Sequence, residues 1–543
     1  MTHPSLSLEG VSHVLPDGRI LFPPLTLRFD ATATGLVGGN GVGKSVLARI
    51  LAGELAPTAG RRLASGHVHY LPQQIACAPG DTVATLAGIA DVLGALARIE
   101  AGGCAVADYE CIGERWDIEQ RLAAELARAG LDGLGADTPT AHLSGGEAMR
   151  VALAGAWLAQ PDFLILDEPS NHLDRHHRRE LRDQLAQWPR GLLVVSHDRG
   201  LLEDMRRIVE LSAHGVRDYG GGYGFYAQAR AGEREAAQAL LEQRRLERRR
   251  GERSLQQQRE RQQRRTMRGD RQAQQANQAP ILLGRQKERS QASAGRLDRR
   301  HAEEQGRLDA QVREAARHVE RDAEIALLAP LPEIARRRRI ATLEAVALAF
   351  GPARRHRLDL ILSGGQRLAV TGGNGAGKST LLRTLAGELA PVAGRSTTHV
   401  AAAFLDQRLA GLDPDTGVLE QLRTANPEAA EPELRTRLAL LGLEADRIGI
   451  PSGRLSGGER LKAALACVLY AAHPPTLLLL DEPGNHLDLP SLEALERMLR
   501  AYPGTLLVVS HDDAFLERLD LHERLHIADD GWRRQPWRAS LDW

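Results

Sequence analysis

The sequence predicts an α/β protein in which one parallel-sheet domain is built twice, with a long charged helical hairpin between the copies. Three observations predict it. A set of four motifs recurs in the same order in both halves of the 543 residues. Short apolar runs, each the length of a buried strand, precede these motifs. Between the halves lies a proline-free stretch rich in Glu, Arg, Gln and Ala. A repeat of this kind decides the architecture before any single residue does.

The first motif is Gly38-Gly39-Asn40-Gly41-Val42-Gly43-Lys44-Ser45, matched by Gly372-Gly373-Asn374-Gly375-Ala376-Gly377-Lys378-Ser379, with Thr380 following. Each sits between an apolar run (Thr34-Gly35-Leu36-Val37; Leu368-Ala369-Val370-Thr371) and a helix-like run. Strand, glycine loop, helix is the context a phosphate-binding loop requires. Glycines let backbone N–H groups converge on phosphate oxygens, and the helix N-terminus adds a favourable dipole. The lysines argue the same way. Only four of the 70 basic residues are lysine, at 44, 287, 378 and 462, and two of these fall in the loops. A compact ammonium on a flexible stem reaches β- and γ-phosphates where a planar guanidinium does not fit.

The buried-strand runs Phe163-Leu164-Ile165-Leu166 and Leu477-Leu478-Leu479-Leu480 end in Asp167-Glu168 and Asp481-Glu482. Neighbouring side chains on a strand diverge, so one carboxylate can serve a metal and the next an attacking water. Asp167 and Asp481, with Ser45 and Ser379, are therefore candidates for Mg²⁺, and Glu168 and Glu482 for the general base. Gln73 and Gln407 each lie 29 residues after their loop lysine, and His197 and His511 each lie 29 after their glutamate. The glutamines are candidates for metal and water contacts, the histidines for the γ-phosphate. Ser144-Gly145-Gly146-Glu147 and Ser456-Gly457-Gly458-Glu459 offer a hydroxyl, N–H groups and a second helix N-terminus. Each half thus carries one phosphate device too many for a single nucleotide.

The middle of the chain reads differently. From Tyr226 to Ile340 there are 28 Arg and Lys against 17 Asp and Glu, although the whole chain balances 70 against 70. The first helical run, about 50 residues, spans roughly 75 Å. Gln278-Ala279-Pro280-Ile281-Leu282-Leu283-Gly284 breaks it, and a second run follows from about Gln286 to Leu328. The apolar stripe is thin, so contact between the two arms is expected to be modest. The expected divisions are a first domain over 1–225, the arm over 226–339 and a second domain over 340–543.

No run of about 18 uncharged apolar residues is present, so no membrane-spanning helix is expected. Nor does the N-terminus show the charged and apolar regions of a signal peptide. The four cysteines, Cys77, Cys104, Cys111 and Cys467, have no metal-like spacing. They fit a reducing compartment, and a cytoplasmic location is expected.

Taken together these motifs resemble the ABC ATPase superfamily, whose signature is Leu-Ser-Gly-Gly. The resemblance implies that the halves pack head to tail and share two ATPs with Mg²⁺. Lys44, Ser45, Gln73, Asp167, Glu168 and His197 would face Ser456-Gly457-Gly458. Lys378, Ser379, Gln407, Asp481, Glu482 and His511 would face Ser144-Gly145-Gly146. An adenine-stacking aromatic is expected at Phe350, where the first half has Leu15. Asp-Glu-Pro-x-Asn-His-Leu-Asp in both halves (Asp167–Asp174, Asp481–Asp488), Leu-Ser-Gly-Gly-Glu and the charged arm make the chain similar to the ABC-F group. The family's usual Thr after Asp-Glu-Pro is Ser170 in one half and Gly484 in the other.

That group implies a monomer with intramolecular pairing, acting on the ribosome as a translation, rescue or protection factor. Its arm reaches the peptidyl-transferase centre and P-site tRNA. Here Arg285, Lys287 and Arg289 around the apolar tip are the candidate rRNA contacts. Two other readings stay open: the ATPase subunit of a transporter, and a DNA-associated ATPase. Finally, Gln73 to Ser144 is 71 residues against 49 for Gln407 to Ser456, an excess too small for a second long arm.

Overall fold

The computed structural model describes residues 5–171, 173–275, 299, 302–316, 338–351, 356–407, 409–485, 487–528 and 530–538. They fall into two compact units, one made of 1–224 with 323–543, the other of 225–322.

The first unit holds two cassettes of one topology. In the first, the main sheet runs Val68–Leu71, Phe163–Asp167, Gly191–Val195, Thr34–Val37, Arg207–Ser212, Gly215–Gly220. All neighbours are parallel except the last pair. In the second, the order is Ala402–Leu405, Leu477–Asp481, Thr505–Val509, Arg367–Gly372, Glu523–Ala528, Gly531–Pro536, again with one antiparallel edge. Helices flank both faces, so strands such as Leu477–Asp481 are a continuous run of leucines up to the terminal aspartate rather than alternating. A three-stranded antiparallel sheet covers each loop helix: Ile20–Phe29, Leu6–Val14, Ala59–Ala64 in one cassette and Leu358–Ser363, Arg339–Ala347, Ala393–Thr398 in the other. Leu47, Ile50 and Leu51 of the first loop helix are fully buried against this layer.

The 22-residue excess of the first cassette is explained locally. Helices Ala90–Glu100 and Val106–Ile112 pack on each other between Val83–Leu86 and Ile118–Arg128. The second cassette passes from Val418–Ala425 to Glu431–Leu440 without such a pair.

The second unit is helical. One helix runs Tyr223–Gln275, 53 residues or about 80 Å at 1.5 Å per residue. Residues 302–316 are helical too. Arg248 Nη1 lies 3.6 Å from Asp309 Oδ1, and a Cβ at Gly251 would sit 2.6 Å from Leu308 Cδ1. The contacts 248 with 309 and 251 with 308 run in opposite senses along the two helices, as in an antiparallel hairpin. The glycine allows that close approach. The helix break, the apolar tip and Arg285, Lys287 and Arg289 lie outside the described residues.

Candidate active sites

The two phosphate loops end β-strands and open nine-residue helices, Lys44–Ala52 and Lys378–Ala386. Gly38 and Gly372 have φ of 150° and 152°. A Cβ on Gly38 would lie 2.2 Å from Leu211 O, so only glycine fits this position. Both lysines curl back over their loops. Lys44 Nζ donates to Gly38 O at 2.8 Å and Gly39 O at 3.1 Å. Lys378 Nζ donates to Gly372 O and Gly373 O, each at 2.8 Å. Burial lowers both ammonium pKa values, opposed by the neighbouring carboxylates.

Sheet order brings the remaining groups to the same edge. Asp167 ends the strand beside Gly191–Val195, which leads to His197. Burial raises the Asp167 and Asp481 carboxyls, and the side chains of Ser45 and Ser379 respectively pull against it, so each proposed metal pair is adjacent. His197 Nε2 stands 3.5 Å from Glu168 Oε1, and His511 Nε2 stands 3.6 Å from Glu482 Oε1. Burial pushes both glutamates up, with Asp167 and Asp481 adding to it and the lysines opposing. Burial and then Lys378 push His511 down to about 3, so it is neutral at ordinary pH; His197 moves the same way. Gln73 and Gln407 each lie two residues past a strand that neighbours the Asp-Glu strand.

Among the described residues, Asp167 Oδ1, Glu168 Oε1, both ring nitrogens of His197 and Glu482 Oε1 are buried without a hydrogen-bond partner. Buried polar atoms are nearly always paired. Such a cluster beside an ammonium and a serine hydroxyl fits a phosphate with a divalent cation and a water.

The cassettes meet at the loops. Asn40 N donates to Asp488 Oδ2 at 2.7 Å, and Asn374 N to Asp174 Oδ2 at 3.4 Å. The terminal aspartate of each repeated motif thus reaches the phosphate loop of the other cassette. Burial raises the Asp488 pKa, but hydrogen bonds from Ser491 and Asn40 pull it lower still, so it stays ionised. Ser144 and Ser456 take a local role: each hydroxyl accepts from the N–H of Glu147 or Glu459, whose carboxylate answers the serine N–H at 2.8 Å. This capping box orients the helix N-termini. Phe350 is 64% exposed. It precedes Gly351, whose Cβ would sit 2.8 Å from Gly375 O, so it stands at the rim of the second loop.

Sequence reading missed two groups. Tyr70 Oη donates to Asp167 Oδ2 at 3.2 Å, while the matching residue of the second cassette is Phe404. Arg178, from the helix after Asp174, acts on Glu482 and His511 of the other cassette; its counterpart is Leu492. Both follow repeated motifs, so a residue-by-residue comparison of the halves would have exposed the differences, though not their contacts.

The ABC transporter family model matches residues 26–171 and 355–485. The tylosin resistance ATP-binding protein TlrC of Streptomyces fradiae is 33% identical over 94% of this chain and 95% of its own. The energy-dependent translational throttle protein EttA of Mycobacterium tuberculosis is 31% identical over 94% and 89%. Among solved structures, an archaeal ribosome recycling factor, in complex with a ribosomal stalk protein, superposes with a TM-score of 0.55 at 20% identity, covering 97% of this chain and 89% of that one. This last is a likeness of fold. No helix among the described residues is long and apolar enough to cross a membrane. The chain belongs to the ABC family and, within it, to the ABC-F group of tandem-cassette ATPases.

Proposed function

We propose that this ATPase works on the ribosome in the cytoplasm, with ATP holding the two cassettes together and hydrolysis releasing them. One observation carries the reading: an arginine-rich helix of 53 residues links two cassettes that already touch at their phosphate loops. A long cationic arm suits RNA phosphates. One relative is named for throttling translation, which supports the same reading.

Within each site, Lys44 and Lys378 leave their loop carbonyls for the β- and γ-phosphates. Ser45, Asp167 and Gln73 would hold one Mg²⁺, and Ser379, Asp481 and Gln407 the other, where it would supply positive charge against that developing on the phosphate oxygens. Glu168 and Glu482 accept the proton of the attacking water. Their raised pKa values make them stronger bases. Neutral His197 and His511 donate to the γ-phosphate. Ser456-Gly457-Gly458 and Ser144-Gly145-Gly146 close each nucleotide from the opposite side, and Phe350 stacks on one adenine.

Cosedimentation of the Glu168→Gln/Glu482→Gln protein with ribosomes tests this, with ATP, with ADP, and with residues 281–289 deleted. ATP-dependent binding lost on deletion is expected. Absence of binding in every state overturns the ribosomal reading; binding to membranes or to duplex DNA would then select the transporter or DNA reading.

A further inference from the structure

Asp174 of the first cassette, which reaches the phosphate loop of the second, is itself held by a histidine. Its Oδ2 accepts from Asn374 N. Its Oδ1 accepts from the His177 backbone N–H at 3.1 Å and lies 2.6 Å from His177 Nδ1. On the far side of the ring, His177 Nε2 lies 2.8 Å from Arg150 Nη1. A guanidinium only donates hydrogen bonds, so Nε2 accepts, and the ring proton sits on Nδ1, from which it is donated to Asp174. Arg150 is fixed in turn, its Nη1 also donating to Ala129 O at 2.6 Å. It belongs to the helix Gly145–Ala159, whose N-terminus carries Ser144-Gly145-Gly146. Burial pushes the Asp174 carboxyl up, but the His177 side chain, and then its backbone N–H, pull it well below the usual carboxylate range. The group is thus kept charged beside the loop. Burial lowers the Lys378 pKa, and Asp174 joins Glu482 and Asp481 in opposing this.

The matching place beside the first site is built from other residues. Asp488 Oδ1 accepts from Ser491 N at 3.0 Å, and its Oδ2 accepts from Asn40 N at 2.7 Å. Counting from the shared aspartates, Ser491 corresponds to His177; counting from Glu147 and Glu459, Lys462 corresponds to Arg150. Ser491 lies directly against the second signature helix, since a Cβ at Gly458 would sit 2.4 Å from its Oγ. A hydroxyl turns its proton toward any acceptor, whereas a neutral imidazole carries its proton on one nitrogen or the other. A histidine at this position therefore needs a donor at Nε2 to direct the proton to Nδ1, and Arg150 stands where that donor is needed.

We propose that His177 is a positioning residue of the second ATP site: with its tautomer set by Arg150, it holds Asp174 against the phosphate loop of the other cassette. ATP binding there comes to depend on a pair that the first site replaces with Ser491 and Lys462. The proposal rests on the reading that Asp174 serves the second nucleotide.

The test uses the full chain carrying Glu168→Gln/Glu482→Gln, so that bound ATP is not consumed. Adding Lys44→Met leaves the second site to bind ATP, and adding Lys378→Met leaves the first. Equilibrium dialysis with radiolabelled ATP and Mg²⁺ reads each affinity. His177→Ala should weaken the second site at least about tenfold, as expected for loss of a hydrogen bond to a charged group, and should leave the first unchanged. His177→Asn puts an amide donor where Nδ1 stood and should restore most of the affinity. His177→Gln, whose amide lies where Nε2 stood, should not. Arg150→Met should weaken the second site in the chain that keeps His177, and should have no effect there in the His177→Asn protein, whose donor has no tautomer to set. A merely structural role would not separate the two amides. No loss with His177→Ala, equal loss at both ATP sites, or rescue by His177→Gln as full as by His177→Asn overturns the proposal. Asp174→Ala separates it from the reading beneath it. If Asp174→Ala weakens the second site and His177→Ala does not, the aspartate serves that site without the histidine and only the proposal falls. If Asp174→Ala has no effect there, the assignment of Asp174 to the second nucleotide fails, and the proposal with it.

Discussion

Arg199 of the first cassette and Glu496 of the second form an ion pair buried where the cassettes meet, with 3% and 4% of each residue exposed. Arg518 also reaches Glu496, at 3.2 Å, and the Arg199 guanidinium lies 5.6 Å from the Tyr223 ring centroid. Removing one member of a buried pair strands the other, at about 3–5 kcal/mol. Arg199 regains water only if the cassettes part. Glu496→Ala should therefore shift the chain toward separated cassettes rather than unfold either one. Distance-sensitive fluorescence between labelled cassettes in the ATP-bound Glu168→Gln/Glu482→Gln protein reads this directly. An unchanged closed fraction would show that the pair does not hold the interface.

Glu168 and Glu482 adopt φ of 50° and 49°, a left-handed conformation that side chains avoid. The same outlier in both halves, at the residue proposed as base, marks strain stored at a working site. A glycine at either position would relax it. Glu168→Gly should be more stable than Glu168→Ala by roughly 0.5–1 kcal/mol, the strain relieved less the extra chain entropy of glycine. Thermal melts of the nucleotide-free proteins compare the two. Equal melting temperatures would remove the claim of strain.

Much of this was legible because it was written twice. Lys44 and Lys378, the carboxylate pairs and the equal 29-residue steps to Gln73, Gln407, His197 and His511 needed only counting. The arm was legible from composition, since 53 residues without proline and rich in Arg, Glu, Gln and Ala have helix as their favoured state. What escaped depends on the third dimension. Arg199 and Glu496 are 297 residues apart, and neither carries a local pattern. The φ of Glu168 follows from how the strand end turns under the loop, which no propensity encodes. Nothing in the sequence around Tyr70 points to a carboxylate; only pairing of Leu71 with Leu166 places its hydroxyl on Asp167.

If the two glutamates are the bases, loss of either should be visible in turnover. Glu168→Gln and Glu482→Gln keep size and hydrogen bonding but cannot take a proton. Each should lower steady-state ATP hydrolysis, and together they should reduce it by roughly 10²–10⁴, the usual range for a lost general base. Phosphate production with the double substitution at the wild-type rate would assign the chemistry to other groups.

Asp512 offers a prediction about pH. Burial, and then the like charge of Asp198, raise its pKa from 3.8 to about 6, with Arg178 and Arg199 opposing. A carboxyl whose folded pKa lies above its unfolded value binds its proton more tightly when folded. Stability from this residue is therefore greatest at low pH, falls between about pH 4 and 6, and stays reduced above that. The upper bound on the loss is about 3 kcal/mol, from roughly 1.4 kcal/mol per unit. The Asp512 side chain also caps a helix by accepting from Phe515 N at 3.0 Å, a role asparagine fills as well. Asp512→Asn should thus keep the cap and discard the charge. It is expected to raise stability by about 1–3 kcal/mol at pH 8 and to give no gain at pH 4, measured by denaturant unfolding at both values. A gain that is the same at the two pH values would mean that the benefit comes from packing and not from the buried charge.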